Sequence, residues 1–263
     1  MSATDSVISA LHDGNDHLVE LVSGLSDEDL ARQSAATEWD VSEVLSHLGS
    51  GAVITLAGLR AALDDAPRPG GDANKAVWDR WNAMSRRERA DELLEANQAL
   101  VDLYDSLDAD TRENLRIDLG FLPEPVDLAT AARMRLNEFA MHVWDVAVVF
   151  DQSSVLPDDA AAALLHGEPN MIGWISKPDQ LNGEYAVLEV TTSRPDSRFT
   201  LKLNEAVSTE LTVPETPDGT LTLPTESWLR LVAGRLSPEH TPTAVVATGA
   251  ADLGLLRKVF PGY

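Results

Sequence analysis

The sequence predicts an α+β protein in which helices come first and strands come last. Long stretches before residue 151 carry apolar residues at helical spacing, and after about residue 180 apolar and polar residues alternate instead. The change falls between Asp151 and Asn182, so 1–155 is read as a helical domain and 156–263 as an α+β domain. With 263 residues, 44% of them apolar, the chain can build these cores without covalent staples.

Each element has a local reason. In residues 4–25, Val7, Ile8, Leu11, Leu18, Leu21 and Val22 mark one helical face, and Gly24 is a stop signal. "SDEDLARQS" reads as a short helical turn. In "EWDVSEVLSHL", Asp40 is an N-cap with Glu43 three residues on, a capping box; Trp39 and Val44 suit a hydrophobic staple. That helix should run from Val41 to about Leu63, where "DDAPRPGGDANK" breaks it. A third helix starts near Lys75 and is expected to continue to Leu107 along a stripe of Leu93, Leu94, Leu100, Leu103 and Leu107. "DLGFLPEPV" reads as a loop, and a fourth long helix spans Val126–Phe150. Four long helices with connections of varied length read as a four-helix bundle. "AAAALLHGEPNMIGWI" is a further helix. Strands follow in "GEYAVLEVTT", "RFTLKLNEAVSTELTV", "GTLTLPT" and "TAVVATG", with helices in "ESWLRLVAGRL" and "AADLGLLRKVF".

Composition narrows the function. Against 43 acidic residues stand 20 basic ones, a formal charge of −23, which repels phosphate backbones and anionic membranes; neither nucleic acid nor a membrane is an expected partner. The opening "MSATDSVISALHDGND" has no basic region and no apolar core of signal-peptide length, and no run of 18 apolar residues follows, which predicts a cytoplasmic protein. There are no cysteines, so a metal site must use His, Asp or Glu, and any thiol chemistry needs an external thiol.

The segment "NEFAMHVWD" puts Glu138 and His142 four residues apart inside an apolar helix, with Cβ atoms about 6 Å apart. Burying such groups without partners is costly. His47, beside Gly49 and Gly51 on another helix, can supply a third ligand, giving a His2Glu set with a fourth position for water or substrate. Other readings stand beside this one. Glu138 can pair with Arg135, three residues earlier, and His47 can be an ordinary helix histidine. Asp145 is either an acceptor behind His142 or an exposed acid. His12 and His17 read as surface residues, His166 and His240 as solvated loop residues.

"EWDVSEVLSHLGSGA" and "RLNEFAMHVWDVAVVF" together resemble the mycothiol-dependent maleylpyruvate isomerase family, within the DinB-like metalloenzymes. The W-x-V-x-x-V-L-x-H and E-x-x-x-H-x-W-D segments carry the likeness, which extends over essentially the whole chain. It implies a DinB-like four-helix bundle followed by a small sterol-carrier-like α+β domain. It implies His47, Glu138 and His142 as ligands of a divalent metal, zinc in the first instance, and mycothiol as the low-molecular-weight thiol. Arg235 in "LVAGRLS" matches an arginine that holds a substrate carboxylate, with a helix C-terminal cation as the other reading; Arg80 is a second candidate from the helical domain. The implied reaction is cis–trans isomerisation of a maleylpyruvate-like small molecule, by thiolate addition, rotation and elimination. The alternatives are a mycothiol S-transferase and, from another class, a non-enzymatic binding protein for a small ligand.

Overall fold

The computed structural model describes residues 2–167 and 172–262, which form two units, Met1–Ser154 and Val155–Tyr263. In the first unit the elements are α1 (Ala3–Ser23), α2 (Asp27–Leu30), α3 (Val41–Leu63), α4 (Gly71–Ala83), α5 (Arg86–Ser106), α6 (Ala109–Asn114), β1 (Arg116–Ile117), β2 (Val126–Asp127) and α7 (Leu128–Phe150). Helix α3 packs along α5 and against α7, and α1 packs against both α5 and α7. Their apolar stripes meet in a core that includes Leu18, Leu45, Leu48, Leu93 and Leu136, each 1% exposed or less.

Caps set the ends of these helices. At α3, Asp40 Oδ1 accepts from the Glu43 N–H at 2.9 Å and Glu43 Oε2 accepts from the Asp40 N–H at 2.7 Å. Burial pushes the Asp40 carboxyl up, but the Ser42 hydroxyl, the Glu43 N–H and the Arg86 guanidinium together hold it below the usual carboxylate range. A depressed folded-state value means that the contribution is present above about pH 4, the ordinary Asp value, and is lost as pH falls through the folded-state value. Asp40→Ala should therefore cost about 0.5–2 kcal/mol at neutral pH. Urea denaturation at several pH values should show the gap from wild type narrowing in acid.

Two expectations change here. The helix read from Lys75 through Leu107 is broken: α4 ends at Ala83 and α5 begins at Arg86. Ser85 caps α5, accepting from the Glu88 N–H at 3.3 Å while Glu88 Oε2 accepts from the Ser85 N–H at 2.7 Å. That capping box competes with helix continuation and turns the chain, so α4 folds back on α3. Trp81 of α4 is 1% exposed, and a Cβ at Gly49 would lie 2.0 Å from its ring. The small residue at 49 thus houses another helix. The last long helix starts at Leu128 with Asp127 as N-cap; Val126 and Asp127 instead pair antiparallel with Ile117 and Arg116, closing the loop between them.

In the second unit lie α8 (Asp158–Leu164), α9 (Ile172–Ile175), β3 (Ala186–Ser193), β4 (Ser197–Leu203), β5 (Ser208–Glu210), β6 (Gly219–Pro224), α10 (Thr225–Val232), β7 (Val246–Gly249) and α11 (Leu253–Val259). The helix expected over 160–175 appears as two short helices, and its part on 168–171 lies outside the described residues. The strands form one sheet in the order β5-β4-β3-β6-β7, antiparallel except for the β3–β6 pair. Alternation sets the buried face: Leu188 and Val190 of β3, Leu201 of β4 and Leu221 of β6 are fully buried. Trp228 of α10, Leu256 of α11 and Phe260 cover that face. Each such side chain contributes about 1.5–3 kcal/mol by leaving water. A one-residue slip would send the whole set outward, which fixes the register.

Among the described residues, only the helix Val41–Leu63 is long and apolar enough to cross a membrane, and 44% of its most apolar window is buried within the protein.

Candidate metal centre

His47 lies on α3, two turns from its capped start, and Glu138 and His142 lie one turn apart on α7. Packing of α3 against α7 brings together groups 91 residues apart. The Nε2 of His47 is 3.4 Å from Glu138 Oε2, and the Nε2 of His142 is 3.8 Å from the same oxygen. One donor atom from each of the three residues lies within 4.8 Å of the others. Bonds of about 2.0–2.2 Å at tetrahedral angles separate ligand atoms by roughly 3.3–3.6 Å. The donor set suits a divalent metal, and the His47–Glu138 pair already has that spacing, the set as a whole being somewhat wider.

The surroundings hold these groups in place. Asp145, fully buried, has Oδ2 2.9 Å from His142 Nδ1. A carboxylate there accepts from Nδ1–H and orients the ring so that Nε2 faces Glu138. Of its two sequence readings, the exposed acid is thus excluded. Burial raises the Glu138 carboxyl, but the His47 hydrogen bond and the positive fields of His142, His47 and Arg135 outweigh it and hold the group below its usual range. Trp39 completes the cluster: its ring centroid is 5.0 Å from that of His47 and 5.8 Å from that of His142. Its carbonyl accepts from Gln33 Nε2 at 2.8 Å and Ser34 Oγ at 2.7 Å, which clamps the loop before α3. The Ala35 N–H, in that same loop, donates to the Asp145 carbonyl at 3.0 Å. The sequence assigned Trp39 only to a helix staple; its contact with two histidines needed the fold.

The other candidates have contacts of their own. Arg135, a possible partner of Glu138, instead donates from Nη2 to the Leu48 carbonyl and Asn97 Oδ1, each at 3.1 Å. Its guanidinium is turned into the core, and it acts on Glu138 through its field alone. Arg80 is exposed on α4 and pairs with Glu92 at 2.6 Å. Arg235 follows α10, is half-buried, and donates from Nη1 to the Ala233 carbonyl at 2.9 Å; its own N–H reaches the Arg230 carbonyl at 2.6 Å. Both bonds satisfy carbonyls at a helix C-terminus. His12 lies at the surface near Asp13 and Asp105, and His17 is exposed. His166 is exposed, with Nε2 2.8 Å from Ser197 Oγ. His240 is half-buried rather than solvated, because its carbonyl accepts from the buried Arg230 at 2.9 Å.

Comparison with known proteins bears on the fold and the family. A crystal structure of the mycothiol-dependent maleylpyruvate isomerase is similar to the chain with a TM-score of 0.63 and 13% identity, over 93% of this chain and 92% of that one. A histidine-to-alanine mutant of that isomerase gives a TM-score of 0.62 and 12% identity over the same shares. At such identities the likeness concerns the fold: a helical N-terminal part followed by a sheet unit. No curated protein matches the chain. Residues 11–147, which include all three candidate ligands, match the family model described as the mycothiol maleylpyruvate isomerase N-terminal domain, and the chain belongs to that family.

Proposed function

We propose that this protein is a metal-dependent enzyme that uses mycothiol to isomerise a maleylpyruvate-type diacid from cis to trans. The observation that carries the proposal is the convergence of His47, Glu138 and His142 within 4.8 Å, in a chain without cysteine. In this reading Met1–Ser154 is a DinB-like four-helix bundle of α1, α3, α5 and α7, and the domain after residue 155 is sterol-carrier-like. Three protein ligands leave one position of a tetrahedral ion for an outside group. His47, Glu138 and His142 would hold zinc or a similar divalent ion there, and with mycothiol it would supply a thiolate nucleophile for reversible addition to the cis double bond, an isomerisation with no net change in atoms.

The residues of the chain divide the remaining work. His47 and His142 offer Nε2, and Glu138 stays ionised in partial burial because of the fields around it. Asp145 fixes the orientation of His142. Trp39 presents an apolar wall against both imidazoles. Arg235 is proposed to hold a substrate carboxylate, for which a planar guanidinium suits bidentate binding. Dependence on a reduced low-molecular-weight thiol is in keeping with a cytoplasmic site of action.

Metal-loaded protein should convert maleylpyruvate to the trans isomer with mycothiol and not without it. Accumulation of a thiol conjugate would keep the site and select the S-transferase reading. Metal-dependent hydrolysis of an ester or amide in thiol-free buffer would replace both with a hydrolase. Retention of an apolar ligand with no metal and no turnover would favour the binding protein. Within the same site, Asp145→Asn should weaken zinc binding by roughly 10–100-fold, the usual effect of losing a carboxylate behind a histidine ligand. Competition with a chromophoric chelator measures this, and unchanged affinity would remove Asp145 from the site.

A further inference from the structure

Arg135 is a charged side chain among apolar helices, 7% exposed. Its Nη2 reaches α3 through the Leu48 carbonyl and α5 through Asn97 Oδ1. Asn97 Nδ2 donates on to Asn15 Oδ1 of α1 at 2.9 Å, and Asn15 Nδ2 to Gln98 Oε1 of α5 at 2.8 Å. One polar chain thereby joins α7, where Arg135 sits, to α1, α3 and α5. Both acceptors are neutral, and Nε is buried with no hydrogen-bond partner among the described residues. Burial pulls the guanidinium pKa down to about 10 against the fields of Tyr104 and Glu138, which leaves it charged at neutral pH.

Such an arrangement is a poor way to stabilise a bundle. An apolar side chain of similar volume fills buried space without the desolvation cost of a charge, and exchanges of this kind are often neutral or stabilising. What the guanidinium provides instead is register. Leu48 directly follows His47 on α3, and Glu138 lies one turn beyond Arg135 on α7. Gly51 makes room for the head group: a Cβ there would come within 2.9 Å of Arg135 Nη1. We infer that Arg135 is a positioning residue, which locks α3 against α7 so that His47 meets Glu138 and His142. The inference rests on the reading of that triad as the reactive centre, and its test separates the two.

Two variants probe it: Arg135→Met, and Gly51→Ala, which crowds the guanidinium while adding a better helix former. Leu59→Ala serves as control. Leu59 is 1% exposed on the same helix, about 18 Å along it from His47. Histidine ring resonances of the metal-free protein and Co²⁺ affinity are measured for each folded variant. Arg135→Met and Gly51→Ala should move the His47 and His142 resonances, leave those of His17 and His240 in place, and weaken Co²⁺ binding about tenfold. Leu59→Ala should lower the melting temperature and change neither readout. If Arg135→Met does not fold, Gly51→Ala decides. Wild-type His47 and His142 resonances in folded Gly51→Ala protein overturn the inference, since a merely structural arginine would not move them. Should the wild type bind no Co²⁺, the metal reading fails by itself, and the resonances still decide the role of Arg135.

Discussion

Replacing His142 with alanine is expected to remove the metal almost completely, with affinity falling by more than about 100-fold, beyond the roughly 10–100-fold of an outer partner. His47 Nε2 and Glu138 Oε2 would remain, 3.4 Å apart. Two protein ligands without the third leave half of a tetrahedral shell to solvent, and the loss should be abrupt rather than graded. His142 is 8% exposed, so the substitution also opens a small space in α7, and circular dichroism should accompany elemental analysis to show that the helices persist. Equal zinc content in folded His142→Ala and wild-type protein would sink the assignment of the triad. It would leave the fold and the family membership untouched.

The second large effect concerns the sheet unit. Glu226 and Arg230 are 2% and 1% exposed, one turn apart on α10. Arg230 Nε donates to Glu226 Oε2 at 2.7 Å and Nη2 to Oε1 at 3.1 Å, while Nη1 donates to the His240 carbonyl at 2.9 Å. Glu226 also accepts from the Ser227 hydroxyl. Removing one member leaves the other charge buried without its counter-ion. Glu226→Gln or Arg230→Met should each destabilise by about 3–5 kcal/mol. Exchanging both, as in Glu226→Leu with Arg230→Met, should recover most of that loss, because the desolvation cost disappears with the charges. Chemical denaturation of the full chain reads this. Single variants within about 1 kcal/mol of wild type would mean that the pair behaves as a surface pair does.

Much of the fold is legible along the chain because it depends on neighbours. The capping box of Asp40 and Glu43 and the apolar stripes of α1 and α7 involve residues no more than four apart, and helix geometry alone relates them. The alternation in β3, β4 and β6 is equally local. Even the missed break before α5 was written in the sequence, as Ser85 and Glu88; a charged stretch with an apolar stripe downstream hid it. Glu138 and His142 share a helix face by spacing, His47 beside Gly49 and Gly51 is a candidate third ligand from another helix, and the resemblance implies the same three.

Tertiary structure decided the rest. Spacing leaves Asp145 open as acceptor or exposed acid; only packing puts it at 0% exposure behind His142. Arg135 looked like a neighbour of Glu138, but its hydrogen bonds go to Leu48 and Asn97, 87 and 38 residues away. Glu226 and Arg230 have the spacing of an exposed helix pair, and their burial follows from how α10 lies on the sheet. The order β5-β4-β3-β6-β7, with β6 beside β3, likewise cannot be read from alternation. Periodicity says which face of an element avoids water. Which face of which other element receives it depends on loop closure and side-chain fit across the whole chain, and a buried charge finds its partner only after that choice is made.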